Sequence, residues 1–305
     1  MFHRVKISAA VLGVALVGLA ACGGDNSGGS SSSSVTVGSA NFPENILLMQ
    51  MYGQALAAKG INVSYKPGVG TREILFPAIQ KGDITISPEY TNALLTYVLK
   101  QKNQTPSAKN VQEQVDALKQ NLPTNLSVLT PAAAEDKDVI VCNKPTEDKY
   151  GFKTLSDLAA KSGEIVLGGP PEFQTRGGLG LQGLQTSYNA KFKEFKPLDT
   201  AGPVTVAALK DNTVNCANLF STDPSITASG FTSLTDDKNI VPNEAVVPLI
   251  AKASADNKTI ADALNAVSAK LDTPGLEQLV AKVVTDKADP AQVAKDWLSQ
   301  NGLAK

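Results

Sequence analysis

The chain has 305 residues, 42% hydrophobic and 19% charged, with a net charge of −1. That length and balance suit one or two soluble globular domains, and the lack of any Lys/Arg run argues against nucleic acid as a partner. The only histidine is His3, so no Ser-His-Asp triad, Cys-His pair or His-ligated zinc can be assembled downstream of it, and no metal site or cofactor is expected.

The chain opens with a basic stretch containing His3, Arg4 and Lys6, then a short apolar run, Ala9 to Leu19, and Leu19-Ala20-Ala21-Cys22. The run is too short to span a bilayer, so residues 1–21 read as a cleaved signal peptide. A cysteine directly after small residues resembles the bacterial lipobox, in which the thiol of Cys22 is lipidated; an ordinary signal peptide with a chance cysteine is the alternative. Residues 22–34 are then the lipidated cysteine and a Gly/Ser tether with nothing apolar to bury. The expected location is extracytoplasmic, anchored to the cell membrane by lipid. Removing residues 1–21 takes away Arg4 and Lys6 and no acid, which moves the net charge from −1 to −3.

From Val35 onward the pattern alternates strand and helix. Val35-Thr-Val-Gly38 reads as a strand, and Asn41 is a candidate cap for a helix carrying Ile46, Met49, Tyr52 and Leu56 at helical spacing. Ile61–Tyr65 is a second strand and Thr71 to Gln80 a second helix. The third strand, Ile84–Ile86, is expected to stop at Ser87-Pro88, because proline cannot donate to a sheet ladder. The helix after it, Ala93–Leu99, would leave free N–H groups beside Glu89, Tyr90 and Thr91. A polar loop from Lys100 to Ala108 and an amphipathic helix through Val111, Val115, Leu118 and Leu122 follow.

A second series starts with the apolar strand Val139–Cys142. It continues with a helix at Leu155–Ala160, a strand at Ile165–Leu167 and a helix beginning near Thr175. Arg176 would sit at that helix start, a carboxylate receptor beside the helix N–H groups, or else an ion-pair partner of Glu172. Then come a strand near Phe195, a helix at Val204–Leu209 and a strand at Val214–Leu219. Asn239–Ile250 is extended, and helices Thr259–Leu271, Pro274–Val284 and Pro290–Leu298 close the chain, with Thr273-Pro274 and Asp289-Pro290 as cap-and-proline starts.

This is an α/β chain with two lobes, joined by two crossings that form a hinge and an interlobe cleft. Lobe 1 takes residues 35–137 plus 245–305 and lobe 2 takes residues 138–244. Ala78–Thr91 aligns without a gap on Ala208–Ser221, which places Tyr90 against Phe220 at the ends of two matching helix–strand units. Two cysteines follow Cys22, namely Cys142 and Cys216. In an oxidising compartment they form a disulfide or remain as two buried thiols.

Val37-Gly-Ser-Ala-Asn-Phe-Pro-Glu44, Ser87-Pro-Glu-Tyr-Thr91, Pro171-Glu-Phe-Gln-Thr-Arg176, Tyr188 through Asp199 and Phe220-Ser-Thr-Asp223 resemble the OpuAC/ProX family. These are substrate-binding lipoproteins of ABC importers for glycine betaine, choline, carnitine and similar osmoprotectants. The resemblance implies a two-lobed, type II periplasmic-binding-protein-like fold, a small-molecule ligand and delivery to an ABC permease in the membrane. It also implies a caged ammonium, with Tyr90 as a cage ring, Phe220 as an aromatic of the second lobe and Arg176 facing the ligand. The candidate ligand-binding set is Phe42, Tyr90, Thr91, Asn92, Asp138, Arg176, Phe220, Thr222 and Asp223.

The sequence departs from the family where Ala40 replaces a usual lysine and where Glu135-Asp-Lys-Asp138 carries no cage aromatic. Asp136 or Asp138 could there set a direct charge against a cation, or the ligand could be polar and uncharged, sugar-like or phenolic. A monomer that is not an enzyme is expected. The rival readings are a carboxylate enzyme using Glu89, Asp138, Glu172 or Asp223, and a structural lipoprotein.

Overall fold

Residues 34–176, 178–241 and 243–304 are described by a computed structural model of the chain. The expected signal peptide, Cys22 and most of the tether lie outside these residues. The first series runs β1 (Ser34–Ala40), α1 (Pro43–Ala57), β2 (Asn62–Gly70), α2 (Arg72–Lys81), β3 (Ile86–Tyr90), α3 (Thr91–Lys100), α4 (Val111–Asn121) and β4 (Leu126–Val128). The second runs β5 (Asp138–Cys142), α5 (Lys144–Tyr150), α6 (Leu155–Lys161), β6 (Val166–Gly169), α7 (Leu181–Tyr188), β7 (Glu194–Pro197), α8 (Pro203–Lys210), β8 (Cys216–Phe220), α9 (Ser225–Ala228) and β9 (Thr232–Ser233). The chain returns through β10 (Val246–Ala251) and finishes with α10 (Lys252–Ala255), α11 (Lys258–Ser268), α12 (Thr273–Val284) and α13 (Pro290–Gln300).

The strands form two five-stranded mixed sheets, ordered β2-β1-β3-β10-β4 and β7-β6-β8-β5-β9. In each, the central strand runs parallel to one neighbour and antiparallel to the other: β3 to β1 and β10, β8 to β6 and β5. The antiparallel neighbour is in each case the strand that enters directly from the other series. The chain passes between the sheets along residues 129–137 and again along 234–245.

The first sheet has the larger core. Leu47, Leu48, Met49 and Met51 of α1 are fully buried, and each such side chain stabilises the fold by about 1.5–3 kcal/mol through burial. The helix packs on β1, β2 and the C-terminal helices α11, α12 and α13. The second sheet is covered by two smaller clusters, one around Phe173 and Leu167, the other around Leu209 and Leu219. It is also stapled: Cys142 and Cys216, opposite each other on β5 and β8, are joined by a disulfide.

Four local expectations change. The third strand does not end at Pro88 but runs through it to Tyr90. Pro88 stands directly opposite Pro248. Their carbonyls turn away from each other, Pro88 O accepting from Asn45 Nδ2 at 3.2 Å and Pro248 O from Leu129 N at 3.1 Å. At such a non-hydrogen-bonded pair the ladder asks for no N–H, so two prolines fit. Helix α1 is capped by the extended Phe42, not Asn41, because Pro43 occupies the first helical position. Helix α12 is capped by Asp272, whose carboxylate accepts from Gly275 N at 2.9 Å, one residue before the Thr273 expected there. Arg176 does not start a helix: α7 begins only at Leu181, after a loop holding Gly178 at φ +62°.

Candidate functional site

The ends of β3 and β8 point at one small cavity of about 50 Å³. Tyr90 closes β3 and Phe220 closes β8, and Phe42, from the turn before α1, lies between them. The Phe42 ring centre is 4.7 Å from that of Phe220 and 6.2 Å from that of Tyr90. Such spacings are those of mutually packed aromatic faces. Three rings drawn from both sheets therefore wall the cavity.

Carboxyl groups make part of the remaining wall and its support. Glu44, at the start of α1, accepts from Tyr90 Oη at 2.6 Å and from Thr222 Oγ1 at 2.5 Å. This ties β3 to the turn after β8 through one buried side chain. Asp136 Oδ1 accepts from Thr222 N and Ser221 Oγ, both at 3.1 Å. Glu244, on the return segment, accepts from Ala93 N at 2.8 Å and so caps α3. Two of the N–H groups expected to be free there are therefore engaged, Thr91 N also donating to Ala245 O. Burial raises the carboxyl of Glu44, raises that of Asp136 further with help from the nearby Glu44 charge, and lifts Glu244 to about 8. Burial and the Glu44 charge also hold the Tyr90 phenol in its neutral form.

Two arginines line the same cavity, and both are occupied. Arg72 makes a forked ion pair with Glu89, with contacts of 2.8 to 3.1 Å. Arg176 pairs with Asp138 at 3.0 Å and lies 3.5 Å from Glu172. With Arg72 and Arg176 held by acids, the remaining ionisable groups beside the rings include Glu44, Asp136 and Glu244, in all of which burial favours the neutral form.

Of the nine candidate residues, Phe42, Tyr90, Phe220, Asp138 and Arg176 come together here. Asp138 faces Arg176 and Asn218, whose Nδ2 donates to it at 2.9 Å. Asn92 lines an adjoining chamber of about 360 Å³ that shares the Arg72, Asp138, Arg176 and Glu244 wall. Thr222 and Asp223 line a third hollow of about 480 Å³ on the far flank of Phe42 and Phe220. Thr91 lines none of these; it is fully buried and its hydroxyl donates to Gln114 Oε1. Glu44, Arg72 and Glu244 are absent from the sequence-based set. Glu44 was within reach as part of the Asn-Phe-Pro-Glu motif, whereas nothing around Glu244 marks it.

Two mixed sheets with helices, linked by two crossings around a shared cavity, define an α/β solute-binding protein of the two-lobed periplasmic type. Residues 33–300 match the family model OpuAC, the substrate binding domain of ABC-type glycine betaine transport system. The chain belongs to that family; it is the small-ligand receptor of an ABC importer, working outside the cytoplasm. It is 29% identical over 284 residues to the glycine betaine-binding protein YehZ of Escherichia coli, covering 90% of this chain and 92% of that one. It is 23% identical over 291 residues to the carnitine transport binding protein OpuCC of Listeria monocytogenes, covering 93% and 92%. Among solved structures, apo YehZ superposes with a TM-score of 0.61 at 28% identity, covering 90% of this chain and 100% of that one. A structure titled as a glycine betaine/carnitine/choline ABC transporter superposes with a TM-score of 0.67 at 22% identity, covering 88% and 99%. Among the described residues no helix is long and apolar enough to cross a membrane.

Proposed function

We propose that the cavity captures a small solute with an ammonium head, of the betaine, choline or carnitine kind, between the two sheets. The carrying observation is the convergence of Phe42, Tyr90 and Phe220 on one cavity whose two arginines are already paired with acids. Aromatic faces attract a cation by about 0.5–2 kcal/mol each. Because Arg72 and Arg176 are already paired, a ligand carboxylate must compete with Glu89 or Asp138, so the head group carries the recognition. The relatives' names, glycine betaine- and carnitine-binding, agree with this chemistry.

The protein is on this reading a binder and not an enzyme, a monomer held to the membrane by lipid on Cys22 through the tether of residues 22–34, whose last residue, Ser34, already begins β1. Mass spectrometry of membrane-extracted protein should find acyl groups on Cys22, and Cys22→Ala should release the protein into the soluble fraction. Delivery to the permease uses a surface carrying Ile74 and Val204, the large apolar side chains that stand out among the described residues at 57% exposure each. They occupy matching positions near the starts of α2 and α8, one per sheet.

Thermal shift and titration calorimetry against betaine, choline, carnitine, sugars and polyphenols test the ligand class. A true ligand at about 100 times its Kd stabilises by about 2.7 kcal/mol. A melting temperature unmoved by every cation in the panel overturns the reading.

A further inference from the structure

We propose that Lys100 receives the ligand's carboxylate in the chamber beside the ring-lined cavity, so that the site selects trimethylammonium acids with several methylenes between their two charges over glycine betaine and choline. This inference rests on the cavity being a site for an ammonium head group.

The cavity holds about 50 Å³ and the adjoining chamber about 360 Å³. Most small-molecule sites hold roughly 300–1,000 Å³, a range the cavity reaches only together with the chamber. Helix α3 leads from one to the other. Tyr90, its N-cap, lines the cavity, Ala93 lines both spaces, and Thr96, Tyr97 and Lys100 line the chamber. Ala93, Tyr97 and Lys100 follow one another at helical spacing and so share one face of α3. The opposite wall comes from the second series, through Thr175, Leu179 and Gln182.

The charges along this path have an order. Arg72 and Arg176 are held by Glu89, Asp138 and Glu172, and burial favours the neutral form of Asp136 and Glu244. That leaves two opposite charges without an ion pair among the described residues. Glu73, in the first turn of α2, lines both cavity and chamber, whereas Lys100 lines the chamber alone. Lys100 Nζ donates to Thr175 O at 2.9 Å, a carbonyl that leaves its charge unbalanced and its other donors open. A zwitterion with its ammonium in the cavity therefore meets the rings and Glu73 at one end and Lys100 at the other. The seven residues from Ala93 to Lys100 rise about 10 Å along the helix, and a helical side chain leans back toward the N-terminus. Several methylenes cover the remaining span, lying on Ala93 and Tyr97. The single methylene of glycine betaine leaves its carboxylate beside the paired arginines, and choline has no carboxylate to offer.

The test is titration calorimetry of the purified protein with trimethylammonium acids carrying one, two, three and five methylenes between nitrogen and carboxylate, glycine betaine being the first. Choline and butyltrimethylammonium, which keep the head group and lack the acid, are the controls. The best of the longer acids should bind at least ~10-fold more tightly than glycine betaine, each buried methylene contributing about 3–4-fold. It should also bind about 5-fold or more ahead of butyltrimethylammonium, the effect of its carboxylate on Lys100. In Lys100→Met, which keeps the apolar stem, that second ratio should fall to about one. Glycine betaine as the tightest member of the series overturns the proposal, in the unmodified protein and whatever the fate of the variant. So does butyltrimethylammonium binding as tightly as the longer acids, or a ratio that survives Lys100→Met. Should nothing in the series bind, controls included, the ammonium reading fails as well, an outcome distinct from tight binding of glycine betaine or of the controls.

Discussion

The helix–strand unit α2–β3 and the unit α8–β8 occupy the same place in the two sheets, yet they are finished differently. Each strand is third of five, and each pairs over five residues with its antiparallel neighbour: Ile86–Tyr90 against Val246–Ile250, Cys216–Phe220 against Asp138–Cys142. The far ends of these ladders show one difference. Where the first sheet sets Ile86 against Ile250, the second sets Cys216 against Cys142 and joins them covalently. The first sheet lies against a single large cluster that includes the C-terminal helices, whereas the core around the second is divided. A smaller core buries less apolar surface for the entropy lost on folding, and a cross-link makes up part of that difference.

The near ends show another. Tyr90 is opposite Val246, but Phe220 is opposite Asp138. Both rings line the cavity, yet only Tyr90 has a polar tip, and that tip is bound to Glu44. The second unit supplies its hydroxyls separately, from Ser221 and Thr222 in the turn that follows. Each sheet also neutralises its own arginine, Arg72 through Glu89 and Arg176 through Asp138. One architecture used twice thus yields a cavity with rings from both sides and carboxyls between them. The lesson is that matched backbone positions carry the rings, and unmatched side chains set the charge.

The largest expected effect lies at the covalent end. Replacing Cys142 and Cys216 by Ala opens a loop with a sequence separation of 74, which should cost about 4 kcal/mol on the chain-entropy account. Denaturant unfolding with and without reductant measures it. The unmodified protein should lose a similar amount on reduction, and the double variant should be indifferent to reductant.

Next comes pH. The buried Glu244 carboxyl holds its proton up to about 8 in the folded chain, against an ordinary 4.5. Between those values the folded state binds more protons than the unfolded one, so stability is highest below about 4.5 and falls as pH rises toward 8. The raised Glu44 and Asp136 carboxyls act in the same sense. The melting temperature of ligand-free protein should therefore decline across this window, and Glu244→Gln should flatten the slope. A melting temperature that climbs with pH would contradict the assignment of Glu244 as a neutral cap on α3.

The rings come third. Phe220→Ala and Tyr90→Ala should each weaken binding of the cation by at least the loss of one face, about 0.5–2 kcal/mol. Tyr90→Ala should be the worse of the two, because it also leaves Glu44 short of a donor. Tyr90→Phe separates these parts: it keeps the face and removes only the donor, so its affinity should fall between those of the unmodified protein and the Ala variant. Equal losses in Tyr90→Phe and Tyr90→Ala would mean that the face contributes nothing. Smallest of all, Ile74→Ser and Val204→Ser should leave affinity unchanged in calorimetry while slowing uptake in cells that carry the importer.

The sequence by itself determined the alternation of strands and helices, the division into two series and the pairing of Tyr90 with Phe220. These are written in short-range terms: apolar spacing, glycine and proline punctuation, and a gapless internal match. Phe42 stands in the candidate set, but its place between the other two rings is set by the fold. Tertiary structure alone decided the rest. Pro88 could stay inside a strand because it falls at a non-hydrogen-bonded position of the ladder with β10. Arg176 lost its place at a helix start because the glycine-containing loop delayed α7, and it gained Asp138 instead, 38 residues away in the chain. Glu244 reached the first turn of α3 across 151 residues of sequence, and Glu44 met Thr222 across 178. A carboxyl's neighbours decide whether it is charged, paired or protonated. Those neighbours arrive with the crossings between the sheets, which no local pattern encodes.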